Sequence, residues 1–362
     1  MDSSKWLTEL KPKILKFINH QKGNKPGYYK YSYSGDLIGE KKHWNLVSAV
    51  FATKCYYMLD SIEEEERQHL IKYIKSFEKP NGEIYDPLIL RRSLIPNTLV
   101  SIYKRDFKSI FLYPSLSRRG ETRQSYAALF ALGSKPDRPY TDIPDTPEGV
   151  KKYLNKLPWQ FPWSAGSHLS HLMFFLHYNH KLFGLYKDNY EDLIKEIDVF
   201  LAGIQSEEDG CWYLDGKINN IQKINGAMKV LTGFAVTGRK DVRWADKIID
   251  TCLPNQNDEG ACSSFDVLYA LNYCSQITDH RAEDVKAFAL RKIDQYREYF
   301  YEDLGGFSFY KNRSNNRFYG AKITAGKDEP DIHGTVLYLW GLSVVAHTLG
   351  LNDSLKLKLP IN

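Results

Sequence analysis

Gly334–Leu349 reads GTVLYLWGLSVVAHTL, a helix-length run with no Asp, Glu, Lys or Arg. Asn189–Gln205 reads NYEDLIKEIDVFLAGIQ, where Glu191, Asp192, Lys195 and Glu196 share the run with Leu193, Ile197 and Leu201. A helix that is apolar all round must be buried on all sides, whereas a two-faced helix lies outside. Ser167–Tyr178 repeats the first kind. Inner and outer helices in alternation predict an all-α fold, an α/α toroid of about six helix pairs, with short β-hairpin or loop insertions. An irregular helical bundle is the alternative.

Working outward, apolar residues at helical spacing predict helices over Lys5–Ile18, His43–Leu59, Glu121–Leu132, Lys223–Thr237, Asp241–Cys252, Ser263–Cys274, Arg281–Glu302 and His333–Leu349. Ser61 and Glu64 have the spacing of a capping box that opens a helix to about Phe77. Thr146-Pro147-Glu148 places a cap, a first-turn proline and an acid at another start. Turns bearing Gly120, Gly166, Gly210, Gly260 and Gly305-Gly306 precede the inner helices at intervals of roughly 45–50 residues, the scale of a helix-pair repeat. No proline-rich linker divides the chain, so residues 1–362 are expected to form one domain. Two stretches stand apart as long loops: Lys22–Gly39, a hairpin or lid, and Gly305–Asp331.

Composition narrows the partners. Hydrophobic content of 43% and charged content of 26% are those of a globular chain. No run of about 18 apolar residues occurs, so no membrane span is expected. The 25 Tyr, 18 Phe and 7 Trp can fill a core and still line a cavity with rings. A net charge of +5 is dispersed and interrupted by Glu63–Glu66, which speaks against nucleic acid and for a small anionic substrate. Five cysteines, odd in number and without a C-x-x-C pair, argue against a disulfide framework or a four-cysteine zinc module. Met1–Lys13 lacks the pattern of a signal peptide, and the expected location is the cytoplasm.

In a toroid the inner-helix N-termini open toward one mouth, where free N–H groups attract anions. Polar residues after each turn are therefore the candidates. Asp331 and His333 head an apolar helix, and a carboxylate near an imidazole makes an acid–base pair, unless Asp331 only caps that helix. Asp266 sits inside an apolar run with Tyr269 one turn on. His168 and His171 share a helix face, with His168 the better catalytic candidate. Arg119 and Arg123 have the fork that suits carboxylate or phosphate. Asn225, Trp163, Tyr319 and Trp340 complete the expected substrate-binding set. No P-loop, Rossmann, H-E-x-x-H or G-x-S-x-G pattern occurs.

Two stretches carry a resemblance. Val199–Trp212, VFLAGIQSEEDGCW, resembles the QW repeat of squalene and terpene cyclases through Phe200-Leu201, Gln205, Gly210 and Trp212. Asp331–Ser343, DIHGTVLYLWGLS, resembles the late helix of protein prenyltransferase β subunits, whose histidine binds zinc. The resemblance covers about residues 160–350 and implies the toroid fold. It also implies a divalent metal, zinc or magnesium; if zinc, the ligands would be Cys262, Asp266 and His333. Cys262-Ser-Ser-Phe-Asp266 departs from that family's Asp-x-Cys order, and the Asp-x-Asp-Asp and Asp-Asp-x-x-Asp motifs of the cyclases are missing.

The first functional expectation is cyclisation or prenyl transfer on an isoprenoid substrate, with Asp266, Asp331 and His333 as acid–base or metal groups and Arg119 and Arg123 on a diphosphate. The second is a lyase, epimerase or hydrolase acting on an acidic glycan, with His168, His333 or Tyr319 moving a proton. A non-catalytic binding module is the third.

Overall fold

The structure, a computed structural model, describes residues 3–103, 107–214, 216–255 and 260–361. Among the described residues the elements are α1 (Ser3–Gln21), α2 (Leu46–Met58), α3 (Glu64–Lys75), α4 (Pro87–Tyr103), α5 (Phe107–Ala131), α6 (Pro147–Lys156), α7 (Pro162–Phe183), α8 (Tyr190–Ile204), α9 (Asn220–Thr237), α10 (Ala245–Cys252), α11 (Ala261–Ser275) and α12 (Ala282–Arg297). Two small hairpins follow, β1 (Phe300–Tyr301) with β2 (Gly306–Phe307) and β3 (Arg317–Phe318) with β4 (Ala321–Lys322), then α13 (Ile332–Thr348) and α14 (Asn352–Leu355). The chain is mostly helical. It divides into two compact units, Met1–Asp137 with Arg291–Ile361, and Arg138–Leu290.

In the first unit, α2 packs against α13, and both are buried on nearly every side. The Lys22–Gly39 stretch is stitched down rather than hanging free. Tyr33 N donates to Pro330 O, Leu37 N to Ile323 O and Ile332 N to Tyr31 O. Glu329 accepts from both the backbone N–H and the hydroxyl of Ser34, at 2.9 and 2.8 Å. Asp36 gathers Tyr28, the Tyr31 N–H and Asn45.

In the second unit, α7 and α9 run parallel and very close. A Cβ on Gly166 would lie 2.9 Å from the Gly226 carbonyl and 2.9 Å from Lys229 Cβ, while one on Gly226 would lie 2.6 Å from Pro162. Helix α9 also packs against α11, and α10 against α11. The Gln205 amide donates to the carbonyls of Gly210 and Arg243, and Trp212 is buried edge-on to Phe234. Gly210, at φ +73°, brings its turn against the Trp244 carbonyl, where a Cβ would sit 2.6 Å away.

Several local expectations need correcting. Gly120 and Gly166 lie inside α5 and α7, not in turns, and at Gly166 the close approach of α9 is what excludes a side chain. The Ser61 capping box does not form, because its hydroxyl donates to Leu59 O and Glu63 takes the cap position. The helix expected to reach Glu302 stops at Arg297, where the chain turns into β1. Helix α4 and the first half of α5 were not expected, because Pro96 and Pro114 interrupt their pattern.

Candidate functional site

The first unit places His333 on the opening turn of α13. Phe51 stacks on its ring at 4.8 Å, and Phe309 and Phe318 close two more sides. Tyr31 Oη lies 2.9 Å from Nδ1 and Asn315 Nδ2 lies 3.1 Å from it. An amide nitrogen can only donate, so the network assigns Nδ1 as acceptor and leaves the ring proton on Nε2. Burial pushes the imidazole down to about 3, so it is neutral at physiological pH. A neutral N–H held this way donates to developing negative charge.

Asp331 does not complete an acid–base pair with that imidazole. Its Oδ1 accepts from Gly334 N at 2.8 Å, and its Oδ2 from Phe309 N and Asn315 N at 2.9 Å each. It caps α13 and braces the loop at Phe309 and Asn315, and burial lifts its carboxyl to about 7.

Arg119 and Arg123, one helical turn apart on α5, are both buried, whereas the neighbouring Arg118 pairs with Glu83 at 2.9 Å. Between them Glu121 accepts from Asp86 N at 2.6 Å. Burial, then the nearby Asp86 carboxyl, hold Glu121 well above the usual carboxylate range. Tyr319 sits in the turn of the β3–β4 hairpin at φ +45°, followed by Gly320 at φ +86°. Asn97 and Tyr113 both donate to the Tyr319 carbonyl and fix that turn. Left-handed backbone suits glycine or asparagine, and a tyrosine there stores strain of about 1 kcal/mol. Burial, then Glu121 and Tyr113, raise the Tyr319 phenol, with Arg123 opposing, so Tyr319 stays protonated. Lys54, buried in α2, donates to Gln124 and lies 5.8 Å over Trp340. Arg119, Arg123, Tyr319, His333 and Trp340 thus share one unit, joined by residues with no obvious sequence signal: Tyr31, Lys54 and Asn315.

The second unit holds the other candidates. Asp266 on α11 is 2% exposed, and its Oδ2 has no hydrogen-bond partner among the described residues. Burial lifts it to about 6, against the opposing charge of Lys229 on α9. Asn225, one turn before Lys229, buries an Oδ1 that likewise has no partner among the described residues. Cys262 lies one turn before Asp266, and burial, then the Asp266 charge, push its thiol up to about 12. His168 is buried on α7 with Tyr153 Oη 3.2 Å from Nδ1, and His171 follows on the same face. Tyr269 is buried beside Phe265, and Trp163, on the first turn of α7, is 43% exposed. His177 and His180 sit against Tyr190 of α8. Lys229 escaped the sequence reading, because a lone lysine in a helix normally marks a solvated face.

Metal binding finds little support in the donor set. Cys262 and Asp266 belong to the second unit and His333 to the first. Among the described residues no group of three or more His, Cys, Asp or Glu could hold a metal ion. A thiol pushed up to about 12 is also a poor ligand, since the thiolate is the binding form. No helix among the described residues is long and apolar enough to cross a membrane. The chain matches no protein-family model, no curated protein and no solved structure.

Proposed function

We propose that the chain is an enzyme of the α/α-toroid type, with about six helix pairs, that moves a proton on an acidic glycan. Asp266 carries this reading. It is a buried carboxyl with an oxygen that has no partner among the described residues, and its affinity for a proton lies near neutrality, where one group can both take and return it. Its surroundings are polar. Lys229 opposes it in charge, and the Asn225 oxygen also awaits a donor. Such a set suits a substrate rich in hydroxyls better than a hydrocarbon. The parallel, closely packed α7 and α9 support the ring of inner helices, and five free thiols favour a reducing compartment, the cytoplasm.

In this scheme the Asp266 carboxylate takes the proton from the carbon next to the uronate carboxyl. The electron pair moves into that carboxyl, and Lys229 offsets the charge. Delivery of a proton to the opposite face by a water molecule, whose hydroxide then takes up the proton held by Asp266, gives an epimer. Expulsion of the oxygen on the next carbon, which leaves with the proton Asp266 holds, gives an unsaturated sugar. His168 and Asn225 orient the hydroxyls, and exposed Trp163 offers a stacking surface for a sugar ring.

The test is deuterium wash-in. Uronate oligosaccharides incubated with the protein in heavy water should gain deuterium at that carbon, and Asp266→Asn should abolish it. A thermal-shift panel runs beside it. A ligand at about 100 times its Kd adds about 2.7 kcal/mol. Stabilisation by prenyl diphosphates with none by uronates would replace this reading with cyclisation or prenyl transfer. The aromatic walls around His333, with Trp340 nearby and Arg119 and Arg123 for a diphosphate, favour that second reading.

A further inference from the structure

Helix α4 leaves a group of large apolar side chains in the open. From Pro87 to Tyr103 its sequence holds no acidic residue and two arginines, Arg91 and Arg92. Positions 91, 92, 95, 99, 102 and 103 fall on one side at helical spacing. That side is exposed: Ile95 by 72%, Leu99 by 61% and Tyr103 by 89%, with Ile102 also in the open and both arginines at its N-terminal end. The opposite side, turned into the first unit, seats Ile89 together with polar residues. Ser93 is fully buried and donates to Leu90 O, and Asn97 donates to Ser93 O and to Tyr319 O. Ile89 alone of the three isoleucines is buried, while Ile95 and Ile102 stand in the open with Leu99 and Tyr103, an outer side that is not arranged for water.

We infer that α4 is a membrane-surface helix, which lays Ile95, Leu99, Ile102 and Tyr103 into the interfacial layer of an anionic bilayer while Arg91 and Arg92 meet its headgroups. Charge decides the occupant. Large apolar side chains set beside basic residues, with no acid in the element, are the composition of helices that lie in the headgroup region. Anionic lipids attract such arginines from within a Debye length. The helix is too short and too polar on its inner side to span, so the attachment is one-sided and reversible. Asn97 ties this helix to the hairpin turn at Tyr319, so docking meets the element that carries a candidate site residue. The inference goes beyond the proposed reaction and does not depend on it.

The test is co-sedimentation of the full-length protein with vesicles of phosphatidylcholine alone or with phosphatidylglycerol added. The protein should pellet with the mixed vesicles and remain largely in solution with the neutral ones. Ile95→Ser with Leu99→Ser should abolish pelleting, with an unchanged circular dichroism spectrum and melting temperature, since both side chains are exposed. Arg91→Glu with Arg92→Glu should weaken partitioning roughly tenfold or more. No pelleting of the wild type with mixed vesicles would overturn the inference. So would equal binding to both vesicle types with no effect of the charge reversal. A concentration-dependent dimer in vesicle-free ultracentrifugation, lost in Ile95→Ser/Leu99→Ser without any vesicle binding, would assign the face to a second copy of the chain and overturn it too.

Discussion

Replacing Asp266 by asparagine should make the protein more stable at neutral pH. The carboxyl rises from 3.8 to about 6 in the folded chain because burial disfavours its charge. About two pH units correspond to about 3 kcal/mol. The sign follows from proton binding. Below pH 3.8 the group is protonated in both states and costs nothing. Between 3.8 and about 6 the folded chain holds a proton that the unfolded chain has released, so stability falls as pH rises. Above about 6 both are ionised and the whole cost is present. An asparagine at this position has no charge to bury, so the advantage of Asp266→Asn should grow from near zero at pH 4 to about 3 kcal/mol above pH 6 and then level off. Urea denaturation of both proteins from pH 4 to pH 8 reads this directly. Lys229→Met is the companion variant. It removes the one charge that favours the carboxylate, so it should raise the Asp266 proton affinity and lower stability at pH 8. An asparagine variant that is no more stable at pH 8, or whose advantage does not grow with pH, would show that the carboxylate has partners and is not poised for proton transfer.

Three further outcomes are expected. Gly226→Ala should cost about 1–3 kcal/mol in chemical denaturation, because its Cβ would lie 2.6 Å from Pro162 Cβ and 2.8 Å from the Pro162 carbonyl carbon, where backbone must move. His333→Gln should flatten the acid limb of stability. The imidazole is pushed down from 6.5 to about 3 in the folded chain, so its contribution is present above pH 6.5 and drains away toward pH 3 as the unfolded chain takes up the proton. Denaturation midpoints across that window compare the two proteins. Tyr319→Asn should lower stability by about 1–2 kcal/mol in a thermal melt, since the loss of a half-buried ring packed on Phe318 outweighs the left-handed strain it relieves.

The helices legible in the sequence are those whose burial is uniform. Helix α13 and the core of α7 announce themselves because every turn is apolar, and α8 because its two faces differ. Helix α4 was hidden for two physical reasons. Pro96 broke its period, and Ile95, Leu99 and Ile102 face outward, so the usual rule assigned the residues no place. The glycines at 120 and 166 misled because a glycine marks either a turn or a close helix contact, and only the packing partner tells which. The candidate site was legible as residue types at helix starts. Its partners were not: Tyr31 reaches His333 from a loop 302 positions away, and Lys229 meets Asp266 across two helices.

Asp331 and Asp266 show why partners decide. Both are buried aspartates at or near the start of an apolar helix, and both are lifted toward neutrality by burial. Asp331 sits at the N-cap position, so its oxygens meet the free N–H of Gly334 and, across the chain, those of Phe309 and Asn315. Asp266 lies more than one turn inside α11, where the helix's own N–H groups are already bonded to carbonyls and none is left for a side chain. A cap position supplies donors by geometry; an interior position must find them on another helix, where Lys229 acts on Asp266 through its charge. Folding gains nothing from an oxygen left in that state, at a cost of about 1–3 kcal/mol for the missing bond. On the proposed function, a group that stability alone would replace by asparagine or leucine is kept because a substrate completes it.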